Sequence, residues 1–412
     1  MKCLVIGAGA QGAAAASILA RAADQESFVL ADCDRERAEA VAAHIAASAG
    51  GACAAKLTMA RLDASDVDAV ARLASGADVI LNFVHMDFSA GLRQAALKAA
   101  SHYVDTASDL TWQHDLAFEG RSNDDDAFKA AGLTGLSGSG DTPGICNAMA
   151  RYGADMLDEI DSLIIRCGYL APDAGAVVHP FDPGWSPEVA LQDYNDKACV
   201  FSGGLPTLQG PFANPEVYHF PEPVGDSLIC SHSHDESYTL PRCLGKGIKE
   251  CDFKYTVDPG AGTLVAMGFG DPRRVLELRD GASVRPFEVA MALTPRPGEA
   301  FLQAPDLDAP GGWNAWMVID IRGRSGGRAK QVVVQRRYSD DSAVARQLVE
   351  RLGTRDVGVA APAIAGARMI MAGKTPRGVM PVETLDPLAY LAEVQAIMPL
   401  DIEVEVREPL AL

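Results

Sequence analysis

The chain has 412 residues, 48 % of them apolar, enough for two or three domains with cores of their own. A formal charge of −19 argues against a nucleic-acid backbone or an anionic membrane as partner, and no apolar run reaches the length of a membrane span. Nine cysteines fall singly with no C-x-x-C pair, the usage of reduced cytoplasmic thiols rather than of a disulfide framework or structural zinc site.

The first strand, residues 4–6, follows Met1 so closely that a signal peptide has no room. It runs into Gly7-Ala8-Gly9-Ala10-Gln11-Gly12, and a helix over 13–22 follows at once. Gly7 allows the sharp turn, Gly9 leaves space for a pyrophosphate, and Gly12 lets helix and strand pack closely. Ala10 and Gln11 open the helix whose free N–H groups would face the phosphates. A second strand, 27–31, ends in Asp32, about 20 residues on, where an acid bonds ribose hydroxyls and disfavours a 2′-phosphate. The expected cofactor is NAD, with Arg35 and Arg37 near enough to admit NADP.

The βα alternation continues with a helix over 34–47, a strand over 54–60, a helix ending near 74 and a strand over 78–81. That last strand delivers Asn82, Val84 and His85 to the carboxyl edge of the sheet, where ligands of such folds bind. His85 is a candidate proton acceptor, with packing or a ribose contact as the plainer alternatives. After a helix over 89–100, the strand 102–105 brings Asp105 to the same edge, with the cofactor. Residues 115–131 read as one helix, with Asp124, Asp125 and Asp126 on a solvated face.

Near residue 135 the texture changes. Residues 135–144 read as a loop and 145–152 as an apolar helix, whose start at Gly144 and Asn147 suits an anionic substrate group. Beyond lie β-like runs, including 162–167 and a hairpin of 316–321 with 331–335, and a loop-rich stretch over 172–223. His232 and His234 would share a strand face, but no third ligand is spaced to complete a metal site, and none is expected. The basic group Arg322, Arg324, Arg328, Lys330, Arg336 and Arg337 reads as a solvated rim. Helices over 358–373 and 387–398 and a strand over 402–406 close the chain. The fold class is α/β: a Rossmann doubly wound parallel sheet (residues 1–135), a mixed α+β substrate and dimerisation domain (136–350), and a helical segment (351–412) packing back on the first.

Four stretches carry a family likeness: the glycine turn; residues 78–109 with Tyr103-Val104-Asp105; residues 138–147; and the tail Gly373-Lys374-Thr375-Pro376-Arg377-Gly378-Val379-Met380-Pro381-Val382-Glu383. Together they resemble the saccharopine dehydrogenase family, which includes saccharopine reductases, carboxynorspermidine dehydrogenases and lysine 6-dehydrogenases. The likeness covers both ends well and the middle poorly, apart from Ser202-Gly203-Gly204-Leu205-Pro206 and Thr239-Leu240-Pro241-Arg242. It implies hydride transfer between a nicotinamide cofactor and the nitrogen-bearing carbon of a small amino-acid-derived or opine-like substrate, in a homodimer. It also implies a catalytic-site aspartate in an Asp-Pro-Gly turn. Here the turn is one residue longer, Asp141-Thr142-Pro143-Gly144, so Asp141 is either that catalytic group or a turn aspartate bonding its own backbone. Arg242 is the candidate for a substrate carboxylate, or else a surface salt-bridge partner. Two rival readings keep the fold: a homospermidine-synthase-like enzyme with internally recycled NAD, and a non-catalytic cofactor-binding regulatory protein.

Overall fold

In a computed structural model of the chain, the described residues are 1–120, 124–170, 180–296, 301–302, 314–339 and 342–408. Seven strands form a wholly parallel sheet in the order Gly378–Pro381, Thr134–Ser137, His102–Asp105, Val79–Asn82, Lys2–Ile6, Ser27–Asp32, Leu57–Arg61. Leu4, Val5 and Ile6 are buried on both faces, as a central parallel strand covered by helices must be. The strand order reverses direction between Lys2–Ile6 and Val79–Asn82, which puts a ligand crevice beyond their carboxyl ends.

The other large sheet is mixed and nine-stranded. Glu159–Leu170, Asn314–Ser325 and Arg328–Ser339 run antiparallel through its middle, and Glu250–Thr256 lies parallel to the first of them. Helix Ile145–Ala154 packs on this sheet, and one apolar core runs from it into helices Ala10–Arg21 and Ala360–Met371 of the parallel-sheet half. The site therefore lies between two halves that share a core.

Several elements depart from expectation. Residues 135–137, read as the start of a loop, belong to the sixth parallel strand, Thr134–Ser137, because Gly135 and Leu136 pair with Tyr103 and Val104. The tail is not purely helical. Gly378–Pro381 adds a seventh strand to the parallel sheet, while the terminal strand expected over 402–406 is present as Ile402–Arg407 and pairs with Arg328–Ser339 in the mixed sheet. Residues 115–131 are not one helix: a π-turn over Asp115–Glu119 ends at Gly120 in left-handed backbone, and Asp125–Ala130 starts afresh. Part of the stretch expected to be loop-rich, residues 171–179, lies outside the described residues; the rest holds helix Pro187–Asn195 and strands Ala198–Ser202, Leu205–Gln209 and Glu216–His219. Nor are the acids at 124–126 merely solvated. Asp124 bonds the buried Arg93 at 2.6 Å, and Asp125 accepts the backbone N–H of Val379 at 3.0 Å, tying the seventh strand to the sheet. All nine cysteines are free. Among the described residues, no helix is long and apolar enough to cross a membrane.

Candidate active site

The glycine turn has the geometry its spacing implies. Gly7 sits at φ +99°, where a side chain would be strained, and a Cβ there would come within 2.9 Å of the Phe83 carbonyl oxygen. A Cβ on Gly12 would lie 1.8 Å from the carbonyl oxygen of Gly7. Around Gly9 a Cβ would meet no atom within 4 Å, and no side chain caps the helix start there. The helix therefore presents unoccupied N–H groups of Ala10 and Gln11 to open space, the donor set that a pyrophosphate requires. Asp32 lies beside the turn and accepts the backbone N–H groups of Ala8 (2.6 Å) and Asp34 (2.8 Å). Each carboxylate oxygen keeps a lone pair for ribose hydroxyls. The Gln11 side chain points elsewhere, accepting the N–H of Ala360 at 3.1 Å and so fixing the last long helix against the first.

At the carboxyl edge, Val84 borders Gly7 while three expected contacts turn inward. Asn82 is buried, donating to Tyr103 Oη (2.9 Å) and Ser89 Oγ (3.2 Å) and accepting the N–H of Val84 (2.9 Å). It shapes the loop that carries Val84 and His85 rather than reaching a ligand. Asp105 is also buried, accepting Ser137 Oγ at 2.9 Å and the N–H of Gly138 at 2.7 Å; burial pushes its carboxyl up to about 7. It anchors the chain where it leaves the sheet. Asn147 is the third, bonded to the N–H of Gly144 (2.9 Å) and to the buried carboxyl of Glu383 (2.9 Å). Gly144 itself is packed against Gly140, at φ +129° with no room for a Cβ. Asn147 and Gly144 lock the helix start to the tail segment that ends in Glu383.

His85 reaches across the cleft. Its Nε2 pairs with Gln192 Oε1 at 2.9 Å, on helix Pro187–Asn195 of the mixed-sheet half, and its Nδ1 accepts the N–H of Asp87 at 3.3 Å. Arg242 is not in the cleft cluster: its Nε donates to the carbonyl oxygen of Ala117 at 2.7 Å and its guanidinium lies over Phe201. It clamps one end of helix Asp235–Leu244, and Asp235 clamps the other by accepting the N–H (2.9 Å) and hydroxyl of Ser108.

That clamped helix start carries a pair whose role the sequence reading missed. His234 Nδ1 meets Glu236 Oε2 at 2.5 Å, and the ring stacks on Phe253 with centroids 4.1 Å apart. Burial alone would push the imidazole down; the Glu236 carboxylate overrides it and the group rises to about 9. His232 is buried against Tyr255 and Tyr194, and burial drives it well below the ordinary histidine value. Asp193, next to Gln192, stands beside His234, Asp235 and Glu236, and burial raises its carboxyl well above the usual range. The sequence signal was the run His232-Ser233-His234-Asp235-Glu236, which the spacing test treated only as a metal question.

Asp141 is neither a free base nor bonded to its own turn through its carboxylate. It pairs with Arg336, which is 4 % exposed and lies over the Tyr338 ring. Arg336 thus leaves the solvated rim in which the sequence placed it. Burial raises the thiols of Cys146 and Cys167 well above the ordinary value, and the nearby carboxylates of Glu236 and Asp141 add to it. Beyond the carboxyl edge of the parallel sheet thus stand the glycine turn, a histidine paired with a buried carboxylate, and a buried arginine paired with a second carboxylate.

A seven-stranded doubly wound sheet with this turn defines a Rossmann-type NAD(P)-binding dehydrogenase. Residues 3–136 match the family described as the saccharopine dehydrogenase NADP binding domain. The chain is 25 % identical over 412 residues to carboxyaminopropylagmatine dehydrogenase of Synechocystis sp., covering 95 % of each chain. It is 24 % identical over 370 residues to carboxynorspermidine synthase of Vibrio cholerae, covering 83 % of this chain and 81 % of the relative. Its fold is that of apo saccharopine dehydrogenase (L-Glu forming) from Saccharomyces cerevisiae, with TM-score 0.67 at 13 % identity and coverage of 98 % and 99 %. Over residues 3–136 the chain thus carries the dinucleotide-binding domain of the saccharopine dehydrogenase family, and the whole chain shares the fold of a saccharopine dehydrogenase.

Proposed function

We propose that this dehydrogenase makes or breaks the C–N bond of a secondary amine that joins an amino-acid-derived, carboxyl-bearing arm to a cationic, polyamine-like arm. The carrying observation is the His234–Glu236 pair, held at the cleft that the glycine turn and His85 border from the other side. The names of the two relatives point to such amines. So does the buried Glu236 Oε1, unpartnered among the described residues, since a protonated amine would satisfy it.

Gly9, Ala10, Gln11 and Asp32 would hold the dinucleotide by backbone N–H groups and one carboxylate. When bound, it supplies or accepts the hydride at the carbon bearing nitrogen. The protein handles the proton. His234, charged at neutral pH, holds it on the ring that Glu236 steadies, and delivers it to the oxygen that leaves as amine and carbonyl condense, or takes it back in the reverse direction. Gln192 and His85 keep the two walls in register. NAD is the preferred form, a homodimer through the mixed-sheet half the assembly, and the cytoplasm the compartment, in keeping with nine free thiols. A monomer mass by light scattering at micromolar concentration would refute the dimer. The activity is tested by following reduced-cofactor oxidation with panels of aldehydes plus amines, and oxidised-cofactor reduction with secondary amines. Turnover only with alcohols or sugars would refute it.

A further inference from the structure

Arg336 is a buried cation with one buried donor unpartnered among the described residues. It projects from strand Arg328–Ser339, opposite Met317, which in turn lies opposite Cys167. Both protein partners sit on one terminal nitrogen: Nη1 meets Asp141 Oδ1 and, at 3.2 Å, Tyr338 Oη. The Nε–H has no partner among the described residues although it is buried. A buried guanidinium hydrogen left unpaired is costly, and Tyr338 fixes the plane of the group from below, with 4.2 Å between Cζ and the ring centroid. What remains is the edge made by Nε and the other terminal nitrogen. It is the two-donor fork that matches a carboxylate.

We infer that Arg336 receives a carboxylate of the substrate on this edge, with Asp141 as the internal anion that holds the guanidinium in place until it arrives. The assignment rests on the proposed amine chemistry and adds direction to it. The carboxyl-bearing arm lies toward Arg336 and Tyr338, and the cationic arm toward the unpartnered Oε1 of Glu236. Asp141 then acts as a positioning residue, and Arg242 takes no part.

The test is calorimetric binding of carboxynorspermidine and norspermidine, which differ by the one carboxyl group, to the NAD-loaded full chain. A paired, charge-assisted fork predicts a preference for the carboxylated compound of roughly 10- to 150-fold. Arg336→Lys keeps the charge and loses the fork, and should reduce the preference to within about threefold, with NAD affinity and norspermidine affinity unchanged. Asp141→Asn removes the anion that positions the guanidinium and should weaken carboxynorspermidine severalfold with norspermidine unchanged, a selective loss that damage to the fold would not produce. It also serves should Arg336→Lys fail to fold. Equal affinity of the wild type for the two compounds, binding of neither, retained preference in a folded Arg336→Lys protein, or an unchanged preference in Asp141→Asn would each overturn the assignment. The dehydrogenase reading is judged separately, by cofactor-linked turnover of any secondary amine.

Discussion

Glu236→Gln isolates what the buried carboxylate does for His234. The amide nearly preserves volume and can still accept from Nδ1, but it removes the charge 2.5 Å from the ring. Burial, the largest influence on His234, acts downward, and the carboxylate is what lifts the group to about 9. Asp193 and Asp235 also act upward, after Glu236. With the Glu236 charge gone, the imidazole should fall to roughly its ordinary 6.5 or below, a loss of about 3 kcal/mol of imidazolium stabilisation. If the proton on His234 is the one used, the protonated fraction at pH 8 drops from about nine-tenths to about one-thirtieth, so turnover should fall about thirtyfold there and hardly at all at pH 5.5. The sign for stability is the same. A histidine raised on folding stabilises fully below 6.5 and loses that stabilisation as pH rises through 9, so the variant should also be less pH-sensitive in that window. Histidine ring titration by NMR, with kcat/KM against pH, checks both statements. A ring that still titrates near 9 in the variant, or an unchanged rate profile, would refute the reasoning.

Gly9→Val should abolish dinucleotide binding and leave the melting temperature nearly unchanged, because its Cβ meets no protein atom, whereas Gly12→Val should prevent folding, because its Cβ strikes the Gly7 carbonyl. Cofactor titration by fluorescence beside a thermal melt separates the two; a Gly9→Val protein that binds NAD normally would contradict the turn assignment. Asp32 should make NAD bind more tightly than NADP, and an NADP affinity equal to that for NAD would refute this. Glu383, pushed up to about 7 by burial, keeps its proton in the folded chain while the unfolded chain has lost it. Its contribution therefore declines as pH rises from about 4.5 to 7, and Glu383→Gln should remove up to about 3 kcal/mol of that dependence in urea melts. An unchanged pH slope would count against it.

What the sequence made legible follows physical range. The turn from Gly7 to Gly12 is set by neighbours a few residues apart, so its spacing foretold both the turn and a parallel sheet around it, in which the first strand pairs with the one ending in Asp32. Strand Thr134–Ser137 was hidden because Thr-Gly-Leu-Ser has little strand character of its own; partners on both sides, Tyr103–Val104 and Gly378–Pro381, make it one. Arg336 reads as rim among five other cations, and only pairing with Asp141, far away in the chain, takes it inside. Asn82, Asp105 and Asn147 were rightly placed near the sheet edge or helix start, but which way a polar side chain faces depends on partners such as Tyr103, Ser137 and Glu383. Arg242 likewise found a distant carbonyl, that of Ala117. His234 and Glu236 were visible as a motif; their chemistry was not, since it comes from burial and a 2.5 Å contact.

The most direct measurement follows the hydride itself. Reduced NAD carrying deuterium at the transferable position is supplied with an amino-acid-derived aldehyde and a polyamine, and the product is read by mass spectrometry and NMR. The account predicts one deuterium on the carbon that bears nitrogen in a new secondary amine, lost in the Gly9→Val protein. Deuterium on an alcohol carbon, or a secondary amine formed without deuterium from the supplied cofactor, would contradict it.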